Sequence, residues 1–439
     1  MTSQPAPTAV WQPPADYAPV ASTLPGITVF APRPKAAQAE APQTFKCPQC
    51  GAATKYDVAA GGVACEHCGF IAHTQAQTVG RQAAESEFTL ETLNQAEHGW
   101  GVARRELHCD ACGADLAIAE DAGAPGAALT VTCPFCASNK VNIHAASSDQ
   151  LRPRFLIPFK IQPEATRTLA REWLGRGWFH PSELAASAMV DHFTGIYLPF
   201  WTFSAKIGSR WKAEVGYERQ EHYYDPADKT MKTRTVIDWR WEKGQVRISV
   251  DDLLIVGSSH LSHLILRRLY PFNLNELVTY AADFLAGWQA HAYDITLPQA
   301  WEAGKTEMRD KAKDACYADI NSSHVRNFTM TADFADEAWR YLLLPVYLTA
   351  YKFEDKVYQV MVNGQTGAVA GQKPVAWWKI WLAIAAMLAP GACLALIGLP
   401  LLLAGGVGLV PLILGGVALV AGLVGAFILY NRAVASEAA

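Results

Sequence analysis

Eight of the ten cysteines stand in four Cys-x-x-Cys pairs, a spacing at which two sulfurs can converge on one metal ion. A glycine follows three of the pairs and suits the tight turn beneath the sulfurs. Two pairs together complete a closed tetrahedral S₄ site, which leaves no position for a catalytic water. We therefore predict two structural zinc sites with the ligands Cys47, Cys50, Cys65, Cys68, Cys109, Cys112, Cys133 and Cys136.

The sequence leaves the grouping of the pairs and the identity of the metal open. We favour grouping in chain order, which puts 14 residues between the pairs of the first quartet and 20 between those of the second, but an interleaved arrangement is also geometrically possible. Mononuclear iron is an alternative to zinc. Redox chemistry at single Cys-x-x-Cys pairs is a further alternative, although four pairs arranged two by two argue against it.

Three neighbours of the cysteines need an interpretation. His67 and His108 lie beside complete quartets, so we interpret both as bystanders rather than ligands. Ala137 stands where a glycine follows the other three pairs, which predicts a strained turn with its ligands intact.

The elements that position these cysteines predict an α+β multidomain chain. Each quartet predicts a small β zinc ribbon, and the middle of the chain predicts a mixed α/β domain with an antiparallel sheet. Nine prolines among the first 45 residues are typical of a disordered arm. The predicted units are the Pro/Ala-rich arm (1–45), zinc ribbon 1 (46–80), a linker with zinc ribbon 2 (81–145), the mixed domain (150–372), two transmembrane helices (375–432) and a short tail (433–439).

Helices and strands of the mixed domain follow from local patterns. A helix is predicted from Pro163 to about Leu174, another after Pro181 and a third over 299–320, and the stretch 85–96 could form a short connecting helix or turn. The third helix should bury one side, formed by Trp301, Met308, Ala312 and Cys316. Alternation over 233–241 predicts a half-buried strand.

A faint internal repeat links two segments of the mixed domain. Residues 197–203 resemble residues 343–349, and each copy is expected to place a proline at the start of a strand. The second copy leads to Asn363-Gly-Gln-Thr-Gly367, which predicts a tight hairpin turn. Two related sheet-forming halves are therefore expected.

The C-terminus predicts a membrane anchor. Ile380 to Tyr430 contains no Asp, Glu, Lys, Arg or His, and 51 residues of helix would span about 76 Å, more than twice a hydrocarbon core of about 30 Å. Two spans, about 380–402 and 407–430, fit instead, joined by a turn at 404–406. Three prolines (Pro390, Pro400 and Pro411) should kink or end the spans, and the glycines should let them pack closely. A buried hairpin of a soluble protein is the disfavoured alternative.

The residues flanking the spans predict their orientation. Lys373 and Lys379 precede the first span and Arg432 follows the second, so both ends should face the cytoplasm at the inner membrane. Four aromatic residues should form an interfacial belt, namely Trp377, Trp378, Trp381 and Tyr430.

Charge argues against nucleic-acid binding by the ribbons. The whole chain has a formal charge of −4, and residues 46–145 carry six Lys/Arg against eleven Asp/Glu, a balance of −5. Two tetrathiolate zinc sites add further negative charge. Such a module repels a phosphate backbone, so a protein-binding or spacing role is favoured.

The sequence contains no recognisable catalytic motif. Gly304-Lys305-Thr306 lacks the first glycine of a P-loop and falls in a predicted helix, so no ATPase is expected. His260 and His263 lack the glutamate of a zinc-protease motif. Cys316 and Cys393 are interpreted as packed side chains. We expect no enzyme, with an unrecognised site in the mixed domain as the alternative.

The combined motifs resemble a known bacterial family. CPQCG…CEHCG, HCDACG…CPFC, IPFKI, GIYLPFW, LLPVY, VNGQTG and the terminal apolar pair, in this order, are similar to bacterial membrane proteins with transcription-factor-IIB-type zinc ribbons. Members are often labelled as relatives of the primosomal replication helicase. The resemblance implies a link to phage-shock-protein-A and SPFH membrane-stress systems.

These observations together predict a membrane-anchored adaptor. Its ribbons and mixed domain would hold a cytosolic protein partner of the membrane-stress type near the lipid bilayer, and a homo-oligomer is left open. A nucleic-acid-associated zinc-ribbon protein is the rival prediction.

Overall fold

The fold is seen in a computed structural model, which describes residues 17–20, 29–32, 45–74, 76–87, 104–119, 133–138, 140–145, 151–178, 180–181, 193–227, 229–261, 263–353, 356–405 and 408–438. Most of the stretch 85–96 and the helix expected after Pro181 lie outside these residues. Within the predicted arm, the described residues are two short strands, β1 (Tyr17–Val20) and β2 (Val29–Pro32), which pair antiparallel.

A twelve-stranded, mainly antiparallel sheet forms the body of the protein. Its centre is the antiparallel pair of two long strands, which are β11 (Thr194–Asp225) and β15 (His324–Phe353). The hairpin partner of β11 is β12 (Thr230–Val256). The remaining strands are β6 (Ser86–Glu87), β7 (Arg104–Cys109), β8 (Asp115–Ala119), β9 (Val141–Ala145), β10 (Phe155–Leu156), β13 (Val278–Thr279), β14 (Gln289–His291), β16 (Lys356–Asn363) and β17 (Val369–Gly371).

Both faces of the central sheet are buried, because alternate residues of β11 enter two separate cores. Tyr197, Trp201 and Phe203 point into one core, and Ile196 and Phe200 point into the other. The first core also contains residues of the first ribbon, which is the small sheet of β3 (Lys55–Asp57), β4 (Gly62–Ala64) and β5 (Ile71–His73). The second core contains residues of the second ribbon, β7 to β9. The two ribbons therefore lie against opposite faces of one sheet.

The second ribbon is continuous with the body rather than a separate unit. Its strand β8 pairs with β14 through Leu116 and His291, and β14 pairs in turn with β11. The division of the chain into a ribbon over 81–145 and a domain over 150–372 therefore does not correspond to a boundary in the sheet.

Among the residues that the structure describes, three α-helices pack on the body. They are α1 (Pro163–Gly175), α2 (His263–Leu269) and α3 (Leu297–Asp319). The predictions of α1, with proline in its first turn, and of α3 are confirmed. Helix α3 buries the predicted side with Trp301, Met308, Ala312 and Cys316, since intervals of four and seven positions return to the same side of a helix. Residues 304–306 lie inside α3, so they cannot form a phosphate-binding loop.

The long strands extend well beyond the cores. The pairing of β11 with β15 ends at Gly216 and His324, and residues 217–225 and 230–238 continue as a two-stranded distal hairpin. The strand predicted over 233–241 lies here, but its side chains are at least partly exposed on both faces, so the expected half-buried face is wrong. Residue types alternate over this segment, but alternation does not show whether a face is covered. The hairpin protrudes from the body, and nothing among the described residues covers it.

The two repeat segments lie side by side in the sheet. Residues 197–203 belong to β11 and residues 343–349 to β15, and Pro199 and Pro345 pair with residues of the other copy. Both prolines are inside strands and not at strand starts, which corrects that prediction. The turn after Asn363 is confirmed, with Gly367 at φ 77° and its N–H donated to the Asn363 carbonyl.

Two C-terminal helices, α4 (Trp377–Gly405) and α5 (Leu409–Ala438), form an apolar pair. Each is long and apolar enough to cross a membrane, over Trp377–Leu402 and Leu409–Val434. Pro390 and Pro400 do not end the first helix, which continues through both. A Cβ at Gly391 or Gly415 would lie about 3 Å or less from the backbone of the other helix, so these glycines permit the predicted close contact.

The apolar pair is firmly joined to the body just before α4. The Lys373 ammonium donates to the carbonyls of Trp173 and Arg176 at the end of α1, where the helix dipole favours a cation. Lys379 donates to the His180 carbonyl at 2.8 Å. Burial and the nearby Arg176 lower the pKa of Lys373 to about 8. The two lysines that carry the orientation signal in the sequence therefore also hold the junction together.

Candidate metal centres

The eight cysteines form two compact quartets grouped in chain order. Within each quartet the four sulfurs lie within 4.8 Å of one another. Metal site 1 comprises Cys47, Cys50, Cys65 and Cys68, and metal site 2 comprises Cys109, Cys112, Cys133 and Cys136. The structure thus has the sequential arrangement and not the interleaved one.

Metal site 1 is built from two equivalent turns. The carbonyl of Cys47 accepts from the Gly51 N–H at 2.8 Å, and that of Cys65 accepts from the Gly69 N–H at 3.0 Å. Both glycines have φ above 70°, the left-handed conformation that these turns require. The first cysteine of each pair is buried and the second is exposed. One side of metal site 1 therefore faces solvent.

Metal site 2 repeats this design with one departure. Gly113 N–H donates to the Cys109 carbonyl and Ala137 N–H to the Cys133 carbonyl, at 2.7 and 2.8 Å. Ala137 adopts φ 58°, a conformation that costs a residue with a Cβ about 1–2 kcal/mol. The strained turn predicted at Ala137 is therefore present. Cys112 and Cys136 are half-buried, so this site is more enclosed than metal site 1.

The sulfur spacing fits a tetrahedral metal. The Sγ–Sγ distance is 3.4 Å for Cys47 and Cys68, and 3.6 Å for Cys50 and Cys65. In metal site 2 the corresponding distances are 3.6 and 3.7 Å. Zinc–sulfur bonds of about 2.3 Å in a tetrahedron place the sulfurs about 3.8 Å apart, whereas a disulfide requires about 2.05 Å. Both quartets can therefore hold a metal ion, consistent with two zinc sites.

Backbone donors lower the pKa of one thiol in each quartet, whereas burial and hydrogen bonds between the thiols raise the pKa of others, among them Cys68 and Cys112. N–H donation from Cys68, joined by that of His67, outweighs burial and lowers the pKa of the Cys65 thiol to about 6. Burial raises the pKa of the Cys109 thiol, but donation from the Cys112 and Ala111 N–H groups outweighs it and lowers the pKa to about 7. Only the thiolate form of cysteine binds a metal. The lowered pKa therefore makes one sulfur of each quartet available for a metal near neutral pH.

The neighbouring histidines do not join the quartets. His67 is exposed and stands outside metal site 1. His108 Nδ1 lies 2.7 Å from Asp115 Oδ1, and this hydrogen bond raises the pKa of His108. Both positions agree with their interpretation as bystanders.

The turn of metal site 2 is inserted into the body through Phe135, a residue that the sequence analysis did not single out. The buried Phe135 ring packs against two histidines, with centroids 5.9 Å from His260 and 5.2 Å from His291. Gln359 Nε2 donates to the Phe135 carbonyl at 2.8 Å. Strand β16, far away in sequence, thus supports the second ribbon. Only the aromatic residue between Cys133 and Cys136 could have signalled this contact.

The two histidines around Phe135 are themselves fixed by hydrogen bonds. The buried Ser258 hydroxyl lies 2.8 Å from His291 Nε2, and His291 Nδ1 contacts the Asp115 carbonyl of the second ribbon. His260 Nε2 lies 3.1 Å from a carboxylate oxygen of Asp294. His260 therefore packs and pairs within the body, as expected of a structural residue.

A separate acidic group, Glu85 with Asp251 and Asp252, is partly neutralised by a buried arginine. Arg340 Nη2 lies 2.6 Å from Asp252 Oδ1 and 2.8 Å from Glu85 Oε1. Alternation predicts opposite directions for the adjacent aspartates, but Asp252 has φ 54° beside an irregularity in the β11–β12 pairing, which brings both carboxylates to Glu85. We interpret this group as an ion network that joins β6, β12 and β15.

Comparison with known proteins shows that the chain is similar to a protein of Bacillus subtilis. The sequence is 24% identical over 368 residues to the "Uncharacterized protein YdjG" of Bacillus subtilis (strain 168), covering 83% of this chain and 99% of that protein. No family model matches the sequence. No solved structure matches it either.

Proposed function

We propose that the protein is a membrane-anchored zinc-ribbon adaptor, which holds cytosolic protein partners at the bacterial inner membrane during membrane stress. The apolar pair α4–α5 supports the anchor. Its large aliphatic side chains point outward, including Leu396 at 73% and Val417 at 64% exposure. A soluble protein would bury such side chains, whereas a bilayer accommodates them.

The observation that carries the proposal is the firm junction between this pair and the body. Lys373 caps α1, Lys379 holds the His180 carbonyl, and His180 Nδ1 lies 2.9 Å from the Pro374 carbonyl. The contacts involve residues just before α4 and a residue within its first turn. An anchor joined in this way presents the body in a defined orientation, as an adaptor requires.

The zinc ions serve the adaptor as structural parts. Each quartet is a closed set of four sulfurs, so a bound zinc would stiffen the ribbon around it and leave no coordination position for chemistry. The body then serves as a scaffold whose two faces are each covered by a ribbon.

The orientation follows from the charges at the ends of the apolar pair. Lys379 at the first end and Arg432 at the second favour the cytoplasmic side, where the reducing environment also preserves the thiolates.

Carbonate extraction tests the anchor. The full-length protein should sediment with membranes at alkaline pH. A variant with Leu396→Arg and Val417→Arg should be released, because each arginine costs roughly 2.5–3.5 kcal/mol within a span. The matched control, Leu396→Phe with Val417→Phe, should still sediment. Release of the native protein by carbonate would contradict the anchor.

Affinity capture tests the adaptor. Native membranes solubilised in mild detergent should yield partners enriched over a mock capture from membranes that lack the protein, in particular proteins of the membrane-stress type. Equal recovery of the same background proteins from both would refute the adaptor role.

A further inference from the structure

The three-stranded sheet between the body and the distal hairpin has one covered face and one open face. Helix α3 covers the face with Trp211, Ala213 and Val215, which are buried against Cys316 and Ile320. The alternate residues of β11 point the other way and are exposed at Lys206, Arg210 and Lys212. Among the described residues, no helix or strand lies over this open face.

The open face concentrates positive charge. Its centre, which we name the basic face, consists of Arg210, Lys212, Lys243 and Arg247 with Gln245, Thr329 and Thr331. Most of these residues line a depression of about 560 Å³. Opposite Arg247 in the register stands Gly208, where an added Cβ would meet nothing within 4 Å, so the floor here is flat and open.

The charges of the basic face are poorly neutralised from within the chain. Lys212 stands directly opposite Lys243, and like charges in this position destabilise strand pairing. Neither Lys243 nor Arg247 has an ion-pair partner among the described residues. Arg210 reaches Asp333 only at 3.4 Å, and both side chains are largely exposed. The arrangement is therefore suited to an anion that comes from outside.

The surroundings of the basic face limit the size and class of this anion. Glu214 and Glu218 lie on the same open face toward the distal hairpin, where they pair with Arg326 and His324. Asp333 and Asp336 lie toward the body, where they pair with Arg210 and Lys206. The described residues on the flanks of the basic face therefore hold ion pairs and no excess positive charge that could neutralise a nucleic-acid backbone running along the sheet. A short segment that places two or three carboxylates over the centre avoids them.

Two further features favour a protein segment over a lipid surface. Trp241 is 56% exposed beside Lys212, whose ammonium lies 4.6 Å from the ring centroid, so an apolar side chain can rest against the indole. Tyr351, which donates to the Gln372 carbonyl just before α4, lies about 21 residues along the strands from Lys212. At about 3.3 Å per residue this is about 70 Å from the anchor.

We propose that the basic face is the docking site for an acidic segment of a protein partner, with two or three carboxylates beside an apolar side chain. This inference rests on the proposed adaptor function and names the surface that the adaptor uses. It moves partner binding from the ribbons, which pack on the body, to the open sheet.

Peptide titration tests the docking site. The full-length protein in detergent is titrated with a fluorescein-labelled twelve-residue peptide of repeating Glu-Glu-Leu, followed by fluorescence anisotropy. We expect salt-sensitive binding that weakens at least about tenfold in the variant Lys212→Glu with Lys243→Glu. This variant keeps a like-charge pair across the strands, so the pairing itself should be preserved. The control variant Lys311→Glu with Lys313→Glu makes the same charge change on the exposed side of α3, and it should alter affinity less than about twofold.

Further arms separate the other classes of ligand. Lys243→Gln with Arg247→Gln removes charge without touching the Lys212–Trp241 contact and should also weaken the peptide. A Gln-Gln-Leu peptide should not bind. The proposal is overturned if the acidic peptide binds all variants equally, or if oligo(dT) of equal length or vesicles rich in phosphatidylglycerol bind the basic face more tightly than the peptide.

Affinity capture with the same variants separates this proposal from the adaptor function. If the native protein captures partners that the Lys212→Glu, Lys243→Glu variant loses, both stand. If the variant captures them equally, the docking site is wrong and the adaptor stands. If the native protein captures nothing above background, the adaptor fails, while the peptide titration still decides whether the basic face binds acidic segments.

Discussion

The two cysteine quartets share their ligands and sulfur geometry but are attached to the body in different ways. The first ribbon contacts the body through its strands, where Tyr56 N–H donates to the Ala286 carbonyl and the Trp288 indole donates to the Tyr56 carbonyl. Its turns, including Cys50 and Cys68, face solvent. In the second ribbon the turn itself is buried, because Phe135 enters the core beside β16.

Two sites with the same metal ligands can therefore have different structural roles. Loss of metal site 1 should loosen a peripheral sheet and leave the central strands paired. Loss of metal site 2 should withdraw Phe135 from a core and disturb β8, which is part of the central sheet. Four predictions test the contrast.

The largest expected effect is that of removing one ligand from each site. Cys133→Ser and Cys68→Ser should each reduce bound zinc from two equivalents to one, measured by plasma mass spectrometry. Only Cys133→Ser should lower the melting temperature of the body strongly, because structural zinc sites contribute on the order of 10 kcal/mol and this one is linked to the core. Cys393→Ser, outside both quartets, is the control. Equal melting temperatures for the two variants would remove the contrast.

The second effect concerns the support of Phe135. Gln359→Ala leaves the Phe135 carbonyl without its donor, which should cost about 1–3 kcal/mol and speed zinc release from metal site 2. Release into a colorimetric chelator measures this. Gln245→Ala, on the exposed sheet, should change nothing. A faster release from metal site 1 instead would show that Gln359 acts indirectly.

The third effect is the order in which the native protein loses its zinc. We expect two phases that differ by about tenfold or more, with metal site 1 first, since its sulfurs are more accessible. Cys68→Ser should abolish the fast phase. A single phase, or loss of the slow phase in that variant, would reverse the assignment.

The smallest effect comes from the left-handed residues. Ala137→Gly should stabilise the second ribbon by about 1 kcal/mol, because glycine adopts the left-handed conformation without strain. Gly69→Ala should destabilise the first ribbon by about 1–2 kcal/mol. No atom lies within 4 Å of the added Cβ there, so this cost comes from the backbone conformation alone. The midpoint of denaturant unfolding measures both. A neutral Ala137→Gly would show that the turn of metal site 2 tolerates its strain without cost.

Local patterns predicted the features that depend on neighbouring residues. Cys-x-x-Cys spacing predicted the eight ligands but not how the pairs are grouped, proline at the start predicted α1, and the buried side of α3 followed from helical periodicity. The apolar run gave both C-terminal helices to within a few residues at most ends. Each of these rests on contacts within one segment of the chain.

The features that were missed depend on distant partners. Nothing in the residues around Leu116 indicates that they pair with His291, 175 positions away, and nothing around Phe135 indicates Gln359. The lengths of β11 and β15 also escaped notice, because their outer halves alternate weakly and have one polar, open face. The sequence shows the charge of Lys373 but not its carbonyl partners, which lie at the end of α1.

The junction at Lys373 and Lys379 makes the molecule a lever. At about 3.3 Å per residue the strands from Tyr351 to Asp225 extend up to about 110 Å, and the junction joins the apolar pair to their near end. Helices adjust their tilt to the thickness of the bilayer. In the proposed membrane-anchored state, a tilt change of about 10° would sweep the far tip through up to about 19 Å, which is several times the spacing between neighbouring strands.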